Sequence, residues 1–218
     1  MKENNTKDVI VIDYKLGNLF SVKHACLHVG LNPIVTSDKE IIRNAKAAIL
    51  PGVGAFSDAM HNLEKLDLVA PIKELVDKNI PLMGICLGLQ LLFEESEEFG
   101  KSKGLGLIKG LVKKFPTFIN SKKVRVPNIG WNTIYHPDSE NWNNSPLTGI
   151  KQNSYMYFVH SFYVDPENKA DILSLTKYEE IEYCSSINRG NIFATQYHPE
   201  KSSALGLEIY KNWAKFIN

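Results

Sequence analysis

Residues 80–93, Ile-Pro-Leu-Met-Gly-Ile-Cys-Leu-Gly-Leu-Gln-Leu-Leu-Phe, constrain this chain more than any other stretch. The apolar run 80–85 predicts a buried strand. Gly84-x-Cys86-x-Gly88 follows, and Leu89, Leu91, Leu92 and Phe93 continue at helical spacing. A strand turning at once into a helix, with small residues flanking a nucleophile, is the nucleophile-elbow pattern, here with cysteine in place of serine. The turn brings backbone against backbone, so a side chain at 84 or 88 would clash. Cys86 then stands at the first turn of a helix, where unpaired N–H groups and the positive dipole end favour thiolate. The Leu87 N–H points beside the sulfur and supplies half of an oxyanion hole. A free cysteine at a strand end is by itself ordinary core packing, so a catalytic reading needs a base elsewhere.

The chain has 218 residues, enough for one α/β domain over 1–218 with a real core. A net charge of +1 gives no electrostatic reason to expect nucleic acid or an anionic membrane surface. No apolar run reaches membrane-spanning length and residues 1–5 lack a leader's apolar core, so the expectation is a cytoplasmic protein. Cys26, Cys86 and Cys184 show no paired metal-ligand spacing, and neither a metal, a cofactor nor a disulfide is expected.

Residues 1–8 read as a frayed polar tail. Strands are predicted at 9–13, 32–36, 47–50 and 80–85, and helices after Asn18, after the Ser37-x-x-Glu40 capping box, after Ser57 and around 71–78. Cys26 falls on the core face of the first helix. This β-α alternation argues a doubly wound, mostly parallel sheet. The carboxyl ends of such strands are where ligands bind, and Pro51-Gly52-Val53-Gly54 lies at one of them. From about 105 the pattern changes to short alternating runs: 106–115, 124–126, 131–136, 155–164, 172–178, 182–188 and 191–196. These predict antiparallel strands added beside the parallel sheet, with a hairpin turn at 188–191. Residues 137–154, with Trp142, read as a polar surface excursion. A last helix places Leu205, Ile209, Trp213 and Phe216 on one stripe.

A thiolate nucleophile needs an imidazole, and the imidazole needs an orienting acceptor. His24, His28 and His61 fall on helix faces suited to solvent, His136 borders the polar excursion, and His160 lies on a strand as core or site. His198 is set apart by Glu200, two residues on, with Pro199 restricting the backbone between them. On an extended chain residues i and i+2 share a side, so the carboxylate can fix the ring's tautomer.

Gly84-Ile-Cys86-Leu-Gly88-Leu-Gln90 together with His198-Pro-Glu200 resembles the class I (triad) glutamine amidotransferases over essentially the whole chain. Asp13-Tyr-x-x-Gly17-Asn18, Pro51-Gly-Val-Gly54, Gly130-Trp-Asn132 and Tyr157-Phe-Val-His160-Ser161 make it most like the glutaminase subunits of imidazole glycerol phosphate synthases. The resemblance implies a flavodoxin-like α/β glutaminase without cofactor that passes ammonia to a (β/α)8-barrel cyclase in a heterodimer, for histidine synthesis. It implies Cys86 as nucleophile, His198 as base and acid, and Glu200 as orienter. It implies an oxyanion hole from Leu87 and a backbone N–H within Gly52-Val53-Gly54, which must reorient to complete it. Gln90, Glu98, Ser161 and Phe162 match positions holding the glutamine head, and Asn18, Trp131 and Asn132 match the face turned to the cyclase. Lys15 and Leu16, Asn128 and the long 137–154 stretch depart from the pattern. They also resemble a paralogous branch supplying ammonia for sugar amidation in surface polysaccharide synthesis. Two other readings stay open: another cysteine hydrolase on this sheet, and a non-catalytic activating subunit.

Overall fold

The computed structural model describes residues 7–138 and 142–217. The first half alternates strand and helix: β1 (Asp8–Ile12), α1 (Leu19–His28), β2 (Asn32–Thr36), α2 (Lys39–Arg43), β3 (Ala48–Gly52), α3 (Phe56–Lys65), α4 (Val69–Asp77), β4 (Leu82–Cys86) and α5 (Leu87–Leu91). The second half is strand-rich: β5 (Phe93–Ser96), β6 (Ser102–Lys103), β7 (Ile108–Lys114), β8 (Phe118–Ile119), β9 (Lys122–Lys123), β10 (Asn128–Ile134), β11 (Ser154–His160), β12 (Phe162–Pro166), β13 (Ile172–Tyr178), β14 (Ile181–Arg189) and β15 (Ile192–Thr195), closed by α6 (Ser203–Trp213).

The main sheet runs β2-β1-β3-β4-β15-β14-β12-β7-β5-β6, with β13 on β14. Neighbours from β2 to β15 are parallel, and β14, β12 and β7 add antiparallel pairings beyond them. The chain is thus the mostly parallel α/β sheet with antiparallel additions that its pattern predicted. The strands are short and apolar because both faces are covered. Val9, Val11, Ile49, Met83 and Ile85 pack with Val22 and Cys26 of α1 and with Ile209 and Trp213 of α6. Ile10, Ile12, Ala48, Leu50 and Leu82 pack with Ile42, Phe56, Leu63, Ile72 and Leu75 on the opposite face. The period-two alternation of one strand thereby feeds two cores.

Several local expectations are corrected. The tail expected at 1–8 falls on 1–6 outside the described residues; Lys7 bonds the carbonyls of Ala214 and Ile217, and Asp8 opens β1. Asp38, not Ser37, caps α2, its carboxylate accepting from Glu40 and Ile41 N–H. Ser57 lies inside α3, whose cap Ala55 offers no side-chain acceptor. Phe93 belongs to β5 rather than to the helix after Cys86, which ends at Leu91. No strand forms at 124–126. Trp142 is not a surface residue: its indole is buried and donates to the Leu173 carbonyl at 2.7 Å, and Leu147 of the same stretch is also buried. On α6 the buried face is Ile209, Tyr210 and Trp213, while Leu205 is exposed; Phe216 lies beyond the helix, in the 3-10 turn Ala214–Phe216, and is exposed as well. The turn at 188–191 is a hairpin as expected, with Arg189 paired to Ile192.

The elbow fixes the relation of β3, β4 and α5. A Cβ at Gly88 would lie 1.8 Å from the Leu50 carbonyl oxygen, and one at Gly84 would lie 2.9 Å from Ala194 Cβ. Both obstacles belong to strands held on two sides, so neither can yield cheaply. Gly88→Ala is expected to destabilise the fold by about 1–3 kcal/mol, read as a lower urea midpoint with an unchanged slope.

Candidate active site

Cys86 ends β4 with φ +55° and ψ −106°, a strained combination for a residue with a Cβ. The strain is held by β3 and β15 on either side of β4, with Gly52 and Cys86 in register. It lifts the sulfur off the strand end to the start of α5. Cys86 is 6% exposed, with Val159 O at 3.8 Å and Gln196 Nε2 at 3.7 Å from Sγ.

His198 arrives from the end of β15, the parallel neighbour of β4, and so comes to the same sheet edge. Its backbone is extended (φ −100°, ψ 95°), but Pro199–Lys201 forms a 3-10 turn rather than the extended chain the sequence suggested. The turn still delivers the acid: His198 Nδ1–H donates to Glu200 Oε1 at 2.7 Å, and both side chains are almost wholly buried. Burial works against a charged ring, yet the Cys86 sulfur and the Glu200 carboxylate outweigh it and raise the His198 pKa well above its ordinary value. Among the described residues, the buried Nε2 meets no hydrogen-bonding nitrogen or oxygen, and the group beside it is the Cys86 sulfur. Ser202 steadies the turn, its hydroxyl donating to His198 O at 2.7 Å and accepting from Tyr157 N–H at 3.0 Å. The imidazole and the sulfur, distant in sequence, thus act on one another at one rim, with the carboxylate behind the ring.

A cavity of about 330 Å³ opens beside the sulfur, walled by Val53, Gly54, Leu87, Gln90, Glu98, Pro127 and residues 159–162. Gln90 faces it but commits its amide hydrogens to Phe162 O at 3.0 Å and Gln196 Oε1 at 3.1 Å. Among the described residues, Glu98 is the one acidic side chain on this wall. Burial raises its pKa from the ordinary carboxylate value, against the lowering effect of the Phe56 N–H. His160 is a wall residue as well as a core one. Its Nδ1–H donates to Phe162 O at 2.8 Å, so Nε2 accepts from Asn128 Nδ2 at 3.3 Å and Tyr183 OH at 3.1 Å. Burial pushes its pKa down to about 4, leaving a neutral ring.

Of the residues expected at a partner face, Trp131 and Asn132 lie on the ribbon whose other strand walls the cavity. Asn18 caps α1 by accepting from Ser21 N–H at 3.2 Å. Asn132 donates to Asn128 Oδ1 at 3.0 Å. Trp131 is half exposed and meets Tyr157 edge-on at 5.9 Å between centroids. Sequence reasoning did not single out Gln196, Ser202, Tyr183 or Tyr14. Tyr14 is fully buried, its hydroxyl packed where a Gly52 Cβ would lie. Gln196 sits two residues before His198, and that spacing was the one signal for it. The others come close only through the fold.

Residues 10–215 match the family Glutamine amidotransferase class-I. The chain is 44% identical to the imidazole glycerol phosphate synthase subunit HisH of Moorella thermoacetica over 97% of its length and 96% of that protein's. It is 44% identical to the HisH subunit of Aquifex aeolicus over 94% of this chain and 95% of the other. Among solved structures, PurLQS from Thermotoga maritima shares the fold with a TM-score of 0.71 at 20% identity, over 97% of each chain. The glutaminase domain of Trypanosoma brucei CTPS with bound acivicin does so with a TM-score of 0.66 at 15% identity, over 97% of this chain and 94% of that one. An elbow cysteine, a buried His–Glu pair on the adjoining strand and these full-length likenesses lead to one conclusion: the chain belongs to the class-I glutamine amidotransferases, in the branch of the HisH subunits.

Proposed function

We propose that this chain is the glutaminase subunit of an imidazole glycerol phosphate synthase, hydrolysing glutamine to glutamate and ammonia for histidine synthesis in the cytoplasm. The observation that carries the reading is the meeting of Cys86 with the buried His198–Glu200 pair at the rim of the cavity. Cys86 thiolate attacks the side-chain carboxamide. His198 protonates the departing ammonia and then takes a proton from the water that opens the thioester. Glu200 holds Nδ1–H, which keeps Nε2 free for the sulfur side. The Leu87 N–H and a backbone N–H within Gly52-Val53-Gly54 meet the oxyanion, each contributing about 3 kcal/mol to lowering the barrier. A free amino acid carries an ammonium and a carboxylate. Glu98 suits the ammonium; Gln90 and the backbone of Ser161 and Phe162 frame the rest of the head.

The same reading assigns the ammonia to a (β/α)8-barrel cyclase partner. Trp131 pairs with Tyr157 across β10 and β11, so Ile129, Trp131, Tyr155 and Tyr157 share one face of that ribbon. Ile129, Trp131 and Tyr155 are exposed there, an apolar patch of the kind partners cover. The ribbon also carries the Val159 carbonyl beside the sulfur, so the patch borders the reaction centre.

Three measurements test this. Cys86→Ala should abolish glutamine-dependent product formation by the complex while added ammonium still supports it; loss of neither, or of both, contradicts the assignment. Glu200→Gln should lower kcat on the order of 10²–10⁴-fold with little change in KM, because a ring without its acceptor loses acid–base efficiency. Glutaminase rate of the subunit alone should be far below that with the cyclase and its ligand, since the 52–54 segment must reorient a peptide N–H; equal rates would reject the gating.

A further inference from the structure

Helix α3 begins at Phe56, directly after Pro51-Gly52-Val53-Gly54-Ala55, and its first N–H groups need acceptors. Ala55 supplies none and Ser57 lies within the helix. The acceptor comes from far along the chain: Glu98 Oε2 takes the Phe56 N–H at 2.5 Å, a charge-assisted bond. Glu98 is itself set by its own N–H, which donates to the Ser96 hydroxyl at 3.2 Å, and Ser96 is fully buried. The Asp58 carboxylate in the first turn of α3 opposes the charge on Glu98, and Lys114 favours it. The same Glu98 side chain faces the cavity together with Val53, Gly54 and Cys86. Its second oxygen, Oε1, accepts no hydrogen bond among the described residues and is free for a ligand.

One carboxylate therefore touches two things that must agree: the site of the substrate's ammonium and the helix start that tethers the oxyanion segment. We propose that Glu98 is a positioning residue for residues 52–55, so that its engagement by the amino group of the substrate sets the oxyanion donor as well as the amino-acid head. The ammonium half of this rests on the glutaminase reading above; the tether to Phe56 does not. An ammonium at Oε1 keeps the part-buried carboxylate ionised and fixed, so that Oε2 holds the Phe56 N–H firmly. The start of α3 is thereby anchored, and the adjoining segment, with Gly54 at φ +101°, can hold a peptide N–H turned toward the sulfur. Binding the correct head group and assembling the hole become one event.

The test compares Glu98→Ala and Glu98→Gln in the complex with the cyclase and its ligand. Both discard the negative charge, so both should raise KM for glutamine at least tenfold. Glutamine at 98 keeps an oxygen that can accept from Phe56; alanine does not. Glu98→Ala should in addition lose at least tenfold in kcat, and Glu98→Gln should recover most of that loss. Equal kcat in the two variants, whether high or low, overturns the proposal. Amide hydrogen exchange at Phe56, measured on the same proteins, is independent of turnover. Exchange should rise in Glu98→Ala and stay close to wild type in Glu98→Gln; unchanged exchange in both overturns the tether even if no ammonia is released, whereas a wild-type complex that releases none from glutamine counts against the glutaminase reading alone. Glu98→Ser, too short to reach Phe56, replaces the alanine variant if that one fails to fold.

Discussion

The approach of Gly88 to the Leu50 carbonyl governs the rest of the structure. With no Cβ in the way, α5 starts against the end of β3 instead of arching over it. That tight turn places Cys86 at positive φ and brings its sulfur, the first N–H groups of α5 and the 51–54 segment to one point. The strain at Cys86 persists because β3 and β15 clamp β4 on both sides. Stability of the sheet and the strained placement of the Cys86 sulfur are thus one property.

The second half of the site depends on strand order. β15 is the last strand in sequence but lies next to β4 and parallel to it, so the chain leaves both strands at the same edge. Antiparallel insertion of β15 would have sent His198 to the opposite end. The turn after it is fixed by Ser202 to β11, and the His198 N–H donates to the Tyr157 carbonyl at 2.9 Å. β11 in turn carries Val159 and His160 into the cavity wall. His198 is therefore held by the same ribbon that shows Trp131 to solvent.

Much of this was legible from the residues. The 80–93 stretch, the β-α alternation and the His-Pro-Glu tripeptide each have a local physical signature, and the structure brings them to one rim. What escaped was non-local. The cap of α3 could not be found near Ser57 because it comes from Glu98, 42 residues away from Phe56. Trp142 lies in a polar stretch, and only the Leu173 carbonyl and the α6 side of the core explain its burial. Phe93 has helical spacing, but β7 offers it a strand partner at Ile108, and that pairing overrides the local pattern. Asn128, Tyr183 and His160 form a network that no spacing announces, since each comes from a different strand.

That network has a chemical consequence. The imidazole of His160 is locked in one tautomer by the Phe162 carbonyl, and enclosure keeps it uncharged until the medium falls to about pH 4. Mild acidification of the medium adds no cation to this side of the chamber. Any response of this wall to acidity therefore falls to the Glu98 carboxylate, whose pKa burial raises, and not to His160.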